Sequence, residues 1–302
     1  MTATAIVLGF MTGLALASIY VLIAISFTLV LAASGVFNFA QGTIVMLGTV
    51  IAYLVGVKMG WPALATAAAV AGLGALAGIL NHLIAVRPAI GRSKSFTHTT
   101  MLTTLGLGMG VNAIVALVFG SDSYRVPSFV PEDPLFLFGI PLRPTYLVMI
   151  AVGTLVTLGV ELMVRRTAVG HMLRVTLEDP EGARLVGIDT KKVIAVSFAL
   201  AGAMSGLAGF LIAPTIGASA FTAQELAFYG FAGMAIGGFG SFAGSLAGGL
   251  VVGLIVGVTP TLANPHLGVP LLWGIVVAML LVKPAGLWGA AGLFGSARLR
   301  DV

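Results

Sequence analysis

Apolar residues run along this chain in stretches too long for the elements of a soluble protein. No charged residue occurs before Lys58. At about 1.5 Å per residue that stretch, as one helix, would measure nearly three times the roughly 30 Å hydrocarbon core of a bilayer. It must turn back, and the break is legible at Ser34-Gly35-Val36-Phe37-Asn38-Phe39-Ala40-Gln41-Gly42, where glycines and polar side chains interrupt the run. Spans are expected near 5–32 and 40–57, with further runs near 63–85, 100–119, 145–164, 193–213, 226–240, 245–261 and 269–283. The pattern predicts nine crossings, within a range of eight to ten, and the glycine-rich pair at 226–261 reads either as two full spans or as a re-entrant hairpin.

Composition narrows the fold class. The 302 residues are 59% hydrophobic and only 8% charged, with a mean hydropathy of +1.11. Soluble chains carry about 25% charged residues, and disorder needs low hydrophobicity with high net charge. The expected fold is an all-α, polytopic integral membrane bundle forming a single domain over 1–302. Forty-one glycines supply the small residues that let membrane helices approach closely. The G-x-x-x-G spacings Gly202/Gly206 and Gly249/Gly253 fit packing within one subunit or a dimer seam.

The net charge of +5 does not point to nucleic acid, because the cations sit in short loops between apolar runs. Placing the 87–98 loop inside and alternating outward puts twelve Lys and Arg inside, against Lys58, Arg125 and Arg143 outside. That positive-inside bias predicts an external N-terminus, a cytoplasmic C-terminus and a Pro-rich external loop at 120–144. No Lys or Arg precedes the first apolar run, so the N-terminus does not read as a signal peptide. With no cysteine there is no thiol chemistry or disulfide framework.

Candidate chemistry is sparse. His82, His98, His171 and His266 are scattered without metal-ligand spacing, no G-x-S-x-G elbow occurs, and neither a metal, a cofactor nor an enzyme activity is expected. No phosphate-binding G-x-x-x-x-G-K-[ST] loop exists. Ion-coupled transporters keep ionisable residues inside their spans. Here only Glu161, one turn before Arg165 and expected to pair with it, and Glu225, expected at an outer edge as a candidate functional acid, interrupt the apolar runs. Power supplied by another subunit fits this pattern better than an ion gradient. Threonines 97, 99, 100, 103 and 104 are expected to cap or back-bond at a helix start.

Two glycine-rich interruptions, one in each half, are the candidate translocation path: Asn38, Gln41 and Gly42 in the first, Gly237, Gly238, Gly240 and Ser241 in the second. Discontinuous helices free backbone groups that must line protein or water. The same segments also read as two tight cytoplasmic turns. The longest cytoplasmic segment, 165–192, contains Asp179-Pro180, an N-cap followed by Pro at the first helical position, and Gly187 as a helix stop. The short helix between them, with Glu181, Ala183, Arg184, Leu185 and Val186, cannot persist alone in water. It docks either on its own subunit or on a cytoplasmic partner.

The run from Gly170-His171-Met172-Leu173-Arg174 through Glu178-Asp179-Pro180-Glu181-Gly182-Ala183-Arg184-Leu185-Val186-Gly187-Ile188 resembles the cytoplasmic coupling segment of the branched-chain amino acid permeases of ABC importers. Similar blocks are Ser18-Ile19-Tyr20, Asn38-Phe39-Ala40-Gln41-Gly42, Thr104-Leu105-Gly106-Leu107, Gly237-Gly238-Phe239-Gly240-Ser241 and Lys283-Pro284-Ala285-Gly286-Leu287-Trp288-Gly289, in order along nearly the whole chain. The chain departs from the family pattern at Gln41, where His is common, at Ala32-Ala33-Ser34 and at Ala243. The resemblance implies a bacterial-type inner-membrane permease subunit working with a second homologous permease, two cytoplasmic ABC ATPases that bind the ATP, and an external solute-binding protein. It implies that Arg174, Leu177, Glu178, Asp179, Pro180, Ala183, Arg184 and Gly187 couple the chain to an ATPase. Its implied solutes are branched-chain amino acids or similar small polar molecules, with urea, short amides and aromatic or other carboxylates as family alternatives. An ion-coupled secondary transporter or channel, and a structural subunit without a path, are the readings from other classes.

Overall fold

The computed structural model describes residues 3–89, 96–120, 122–137, 140–178, 180–262, 264 and 266–288. Each expected apolar run is a helix: α1 Ala3–Ser34, α2 Gln41–Ile51, α3 Ala63–Asn81, α4 Phe96–Phe119, α5 Pro144–Arg166, α8 Thr190–Ile216, α9 Ala223–Gly237, α10 Phe242–Leu262 and α11 Gly268–Val282. α2 and α3 continue through π-helical ends, Ala52–Lys58 and His82–Val86. The segment expected to carry one short helix carries two, α6 Ala168–Glu178 and α7 Pro180–Leu185. The loop at 120–144 folds a small antiparallel hairpin, β1 Leu135–Leu137 with β2 Ile140–Leu142.

Among the described residues seven helices are long and apolar enough to cross a membrane. α9 and α11, each of 15 residues, measure about 22 Å, short of a full crossing. α9 and α10 therefore form an uneven hairpin, closer to the re-entrant alternative than to two equal spans.

Local chemistry sets the boundaries. Gly35, Gly187 and Gly217 take φ of 70, 83 and 80° as α1, α7 and α8 end, a left-handed turn that a side chain would disfavour. At α7 the Ile188 N–H donates to the Ala183 carbonyl at 2.9 Å, closing the stop expected of Gly187. Asp189 caps α8 by accepting the Lys192 N–H at 3.2 Å. That bond holds its carboxyl below the usual carboxylate range.

α1 is buried along most of its length, whereas α3, α4 and α5 turn most of their residues outward. Its principal partner is α10, which runs antiparallel to it. Ser245, Gly249, Gly253 and Gly257, one every fourth residue, face Thr28, Val21, Ala17 and Gly13 in turn. A Cβ on Gly253 or Gly257 would collide with the α1 backbone. α8 is held in the same way on two sides. Gly202 and Gly206 meet Gly74, Gly78 and Val70 of α3, while Gly206 and Gly209 meet Gly48 and Val45 of α2. Both G-x-x-x-G pairs thus pack within the chain. Hydroxyls tie the same seams: Ser26 with Ser205 at 2.9 Å, Thr28 with Ser245, and Ser18 to the Met149 carbonyl at 2.9 Å.

Gly253→Val would force a branched side chain into the Ala17 backbone and is expected to abolish a monodisperse, cooperatively melting protein in detergent. Gly274→Ala, with nothing within 4 Å of the added methyl, is expected to shift Tm by no more than about 3 °C. Size-exclusion profiles and thermal melts of the two variants check the difference.

Candidate functional site

The first break, between α1 and α2, is organised by side-chain amides. Asn38 donates from Nδ2 to Gln41 Oε1 at 2.9 Å, and its Oδ1 accepts from Asn81 Nδ2 at 2.8 Å and from the Ala40 N–H at 3.1 Å. Gln41 in turn donates from Nε2 to Ser205 Oγ at 2.7 Å and to the Ala201 carbonyl at 3.0 Å. Ser205 meets Ser26, so one network joins α1, the break, α3 and α8. Asn38 and Gln41 are each 1% exposed, and every polar side-chain atom of the two has a partner inside the protein. In this conformation they brace the break. Beside them Thr104 Oγ1 accepts the Phe39 N–H at 3.2 Å and back-bonds to the Met101 carbonyl at 3.0 Å, and Thr103 donates to Ala85 and Thr100 carbonyls. Thr99 and Thr100 are also engaged, and the Thr97 side chain lies outside the described residues.

The second expected break, Gly237 to Ser241, lies beside the first. Phe37 packs edge-on against Phe239 with centroids 5.5 Å apart, and Phe231 closes the cluster at 6.2 and 6.1 Å from the two rings. Gly238 and Gly240 turn the chain with φ of 117 and 78°, and Ser241 Oγ accepts the Gly244 N–H at 3.1 Å as the cap of α10. Gly237 touches Gly244, where neither position has room for a side chain. The chain after α11 seals this turn from below: the Leu287 and Trp288 N–H groups donate to the Ile236 and Gly237 carbonyls, each at 3.0 Å. Thus the end of α9 receives the donors that the break would otherwise leave missing.

A further break was not anticipated. Between α8 and α9 the segment Gly217–Thr222 buries Ala218, Ser219 and Ala220 while Phe221 stays exposed, and Ala218 pairs with Tyr124 of the 120–144 loop. It parallels the first break in detail. Each opens on a left-handed glycine whose N–H bonds the carbonyl four residues back, Gly35 to Leu31 and Gly217 to Ala213, both at 2.8 Å. Each contains a side-chain oxygen that accepts an N–H two residues on, Asn38 to Ala40 and Ser219 to Phe221. Each leads into a helix through Phe-Ala-Gln or Phe-Thr-Ala-Gln. That repeated Gly…Phe…Ala-Gln was the available sequence signal, diluted by one inserted residue. The helices that follow cross at their first turns, because Gly42 fits between Ala223 and Ala227 of α9.

This crossing relocates Glu225. Expected at an outer edge, it stands in the turn of α9 that straddles Gly42, about 24 Å along α2 from Lys58. Its Oε1 accepts the Tyr229 hydroxyl at 2.8 Å, and the Tyr229 ring packs at a 41° tilt against Tyr20 with centroids 4.8 Å apart. Glu161 behaves as expected, pairing with Arg165 at 2.7 Å.

At the far end, α6 and α7 present the expected coupling segment. Ala183 is fully buried, Arg184 Nε donates to Thr190 Oγ1 at 3.1 Å, and Gly187 forms the stop already described. Asp179, and the side chains of Arg174, Leu177, Glu178 and Pro180, lie outside the described residues. The apolar tip is instead Leu185 and Val186, 89% and 73% exposed. Alternating burial within a two-turn helix is invisible without knowing which face its own subunit covers.

The family described as branched-chain amino acid transport system, permease component, matches residues 9–299. The high-affinity branched-chain amino acid transport system permease protein LivH of Escherichia coli is 27% identical over 292 residues, covering 92% of this chain and 93% of that one. The corresponding BraD protein of Pseudomonas aeruginosa is 25% identical over 291 residues, 92% and 94% of the two chains. More distantly, the fructose import permease protein FrcC of Rhizobium meliloti is 25% identical over 230 residues, 72% of this chain and 59% of that one. No solved structure matches the chain.

Gln41→Ala takes the acceptor from the buried Asn38 Nδ2 and leaves Ser205 with Ser26 as its remaining side-chain partner, and is expected to lower unfolding stability by about 1–3 kcal/mol. In a double-mutant cycle with Ser205→Ala the two losses should fall short of additivity by at least about 0.5 kcal/mol, read from denaturation in detergent.

Proposed function

The chain belongs to the family of permease components of branched-chain amino acid transport systems, and on that footing we propose that it is the membrane-spanning permease subunit of an ATP-driven importer of branched-chain amino acids. The family match over residues 9–299 carries the reading. In it, a second permease stands beside this one, two cytoplasmic ATPases bind and hydrolyse ATP, and an external binding protein delivers the solute.

Orientation follows from charge. Arg165, Arg166, Lys191 and Lys192 gather at the end that carries α6 and α7, which the positive-inside bias assigns to the cytoplasm. The N-terminus then lies outside and the C-terminus inside. α7 is the ATPase-docking element, with Leu185 and Val186 as the apolar anchor and Arg184, pinned to Thr190, beside them; the neighbouring residues 174–180 complete the contact. Such an exposed apolar pair flanked by charge is the form of a small interface anchor.

The path runs through the crossing of α2 and α9. There Gly42 permits close approach of the two helices, Asn38 and Gln41 hold the first break in place, and the glycines at 237, 238 and 240 with Ser241 give the neighbouring turn its freedom. When the ATPases close, movement of α7 reaches α8 through Gly187 and Asp189, and α8 carries the network at Ser205. Discontinuous helices meeting inside a bundle are the form a solute path takes in lipid, because their freed backbone groups face protein or water.

Co-purification from native membrane followed by reconstitution tests the reading. An assembly containing ATPases, with ATP hydrolysis stimulated by leucine-loaded binding protein and ATP-dependent leucine uptake, is the expected result. A chain that purifies alone and moves leucine without ATP would overturn it. Leu185→Asp together with Val186→Asp should weaken ATPase retention at least about tenfold while leaving the permease melt unchanged.

A further inference from the structure

Glu225 is anomalous among the residues of the bundle. The described cations sit near the helix ends and in the loops, and among the described residues none pairs with Glu225. Yet its side chain is exposed, on a face of α9 that also shows Gln224 and Phe228, at the depth where α2 begins. A carboxylate at this depth cannot simply face hydrocarbon, where a charged side chain costs about 2.5–3.5 kcal/mol or more. The protein also invests in its position. Tyr229, 5% exposed, donates to one carboxylate oxygen, and the ring of Tyr20 fixes Tyr229 from behind. The second oxygen has no partner among the described residues. The carboxylate stands in the first turn of α9, beside the positive end of that helix.

We infer that Glu225, oriented by Tyr229, is a solute-binding group of the translocation path that receives the ammonium group of the transported amino acid. This rests on the permease reading above and narrows it: a fixed anion in the path suits solutes that bring a cationic nitrogen and disfavours simple carboxylates, whose charge it would repel. The open face of Gln224, Glu225 and Phe228 is then the wall of a wet passage, not a lipid-facing surface. Phe228, edge-on to Trp273 with centroids 5.6 Å apart, supplies an apolar surface one turn away for an aliphatic side chain. The site is built by the break at 217–222, since only a helix starting inside the bundle brings a first-turn acid to this depth.

The test uses the complete importer in proteoliposomes with ATP inside and the wild-type binding protein. Glu225→Gln keeps the shape and the acceptor for Tyr229 while removing the charge. It should co-purify with every partner and lower leucine uptake at least about tenfold. Glu225→Asp, which keeps the charge, should retain uptake well above the Gln variant. Uptake by Glu225→Gln matching the wild type overturns the inference and leaves the permease reading standing. Loss of the second permease from the Glu225→Gln assembly also overturns it, by making the acid a contact between subunits. A wild-type assembly that moves no leucine with ATP overturns the permease reading and this inference together.

Discussion

Backbone-to-backbone contact at glycine holds this bundle together. In lipid, apolar side chains gain nothing by leaving their surroundings, so helices associate through close van der Waals packing and a few interhelical hydrogen bonds. The Ser245-Gly249-Gly253-Gly257 ridge lets α10 lie directly on α1, and α8 is gripped between α2 and α3 by glycines on both sides. Side chains placed there would push the helices apart and remove the dispersion contacts on which association depends. The hydroxyl pairs Ser26–Ser205 and Thr28–Ser245 then act as register marks along the same seams.

Close packing also makes broken helices tolerable. Each break frees N–H and C=O groups that cannot stay unpaired away from water. The protein meets this locally. Asn38 accepts the Ala40 N–H at the first break, Ser219 accepts the Phe221 N–H at the break before α9, and Leu287 with Trp288 cap the end of α9 from a segment some fifty residues later. Two of these breaks launch α2 and α9, whose first turns cross at Gly42. Polar groups are thereby concentrated at one level of an otherwise apolar bundle, the arrangement needed to pass a small polar solute through a membrane.

Rigidity and exposure divide along the same lines. The network around Gln41 satisfies every side-chain polar atom of Asn38 and Gln41, leaving only Asn81 Oδ1 of its amide atoms without a partner among the described residues, and it ties the break to α8, whose capped start adjoins α7. Two exposed features lie apart from the apolar outer faces of the spans: the Leu185-Val186 tip at one end and the face of Glu225 within the bundle. An apolar tip on a short helix suits a protein partner, whereas an oriented carboxylate beside apolar rings suits a small cationic group.

Much of the architecture was legible in the amino-acid sequence, because it depends on local properties. Apolar run length marked every spanning helix to within a few residues, and Gly35, Gly187 and Asn38 marked the break and the stop through their own conformational and hydrogen-bonding habits. The chain alone could also pair Glu161 with Arg165, four residues apart on one helix. What it could not decide were outcomes that depend on residues far apart. Whether the G-x-x-x-G pairs face their own subunit, whether Asn38 and Gln41 are free or engaged, and how deep Glu225 lies are fixed by Gly74, by Asn81 and Ser205, and by Gly42. In an apolar helix every face is compatible with lipid, so the hydropathy pattern carries no record of which face meets protein. Only the packed bundle, by bringing those distant backbones into contact, chooses.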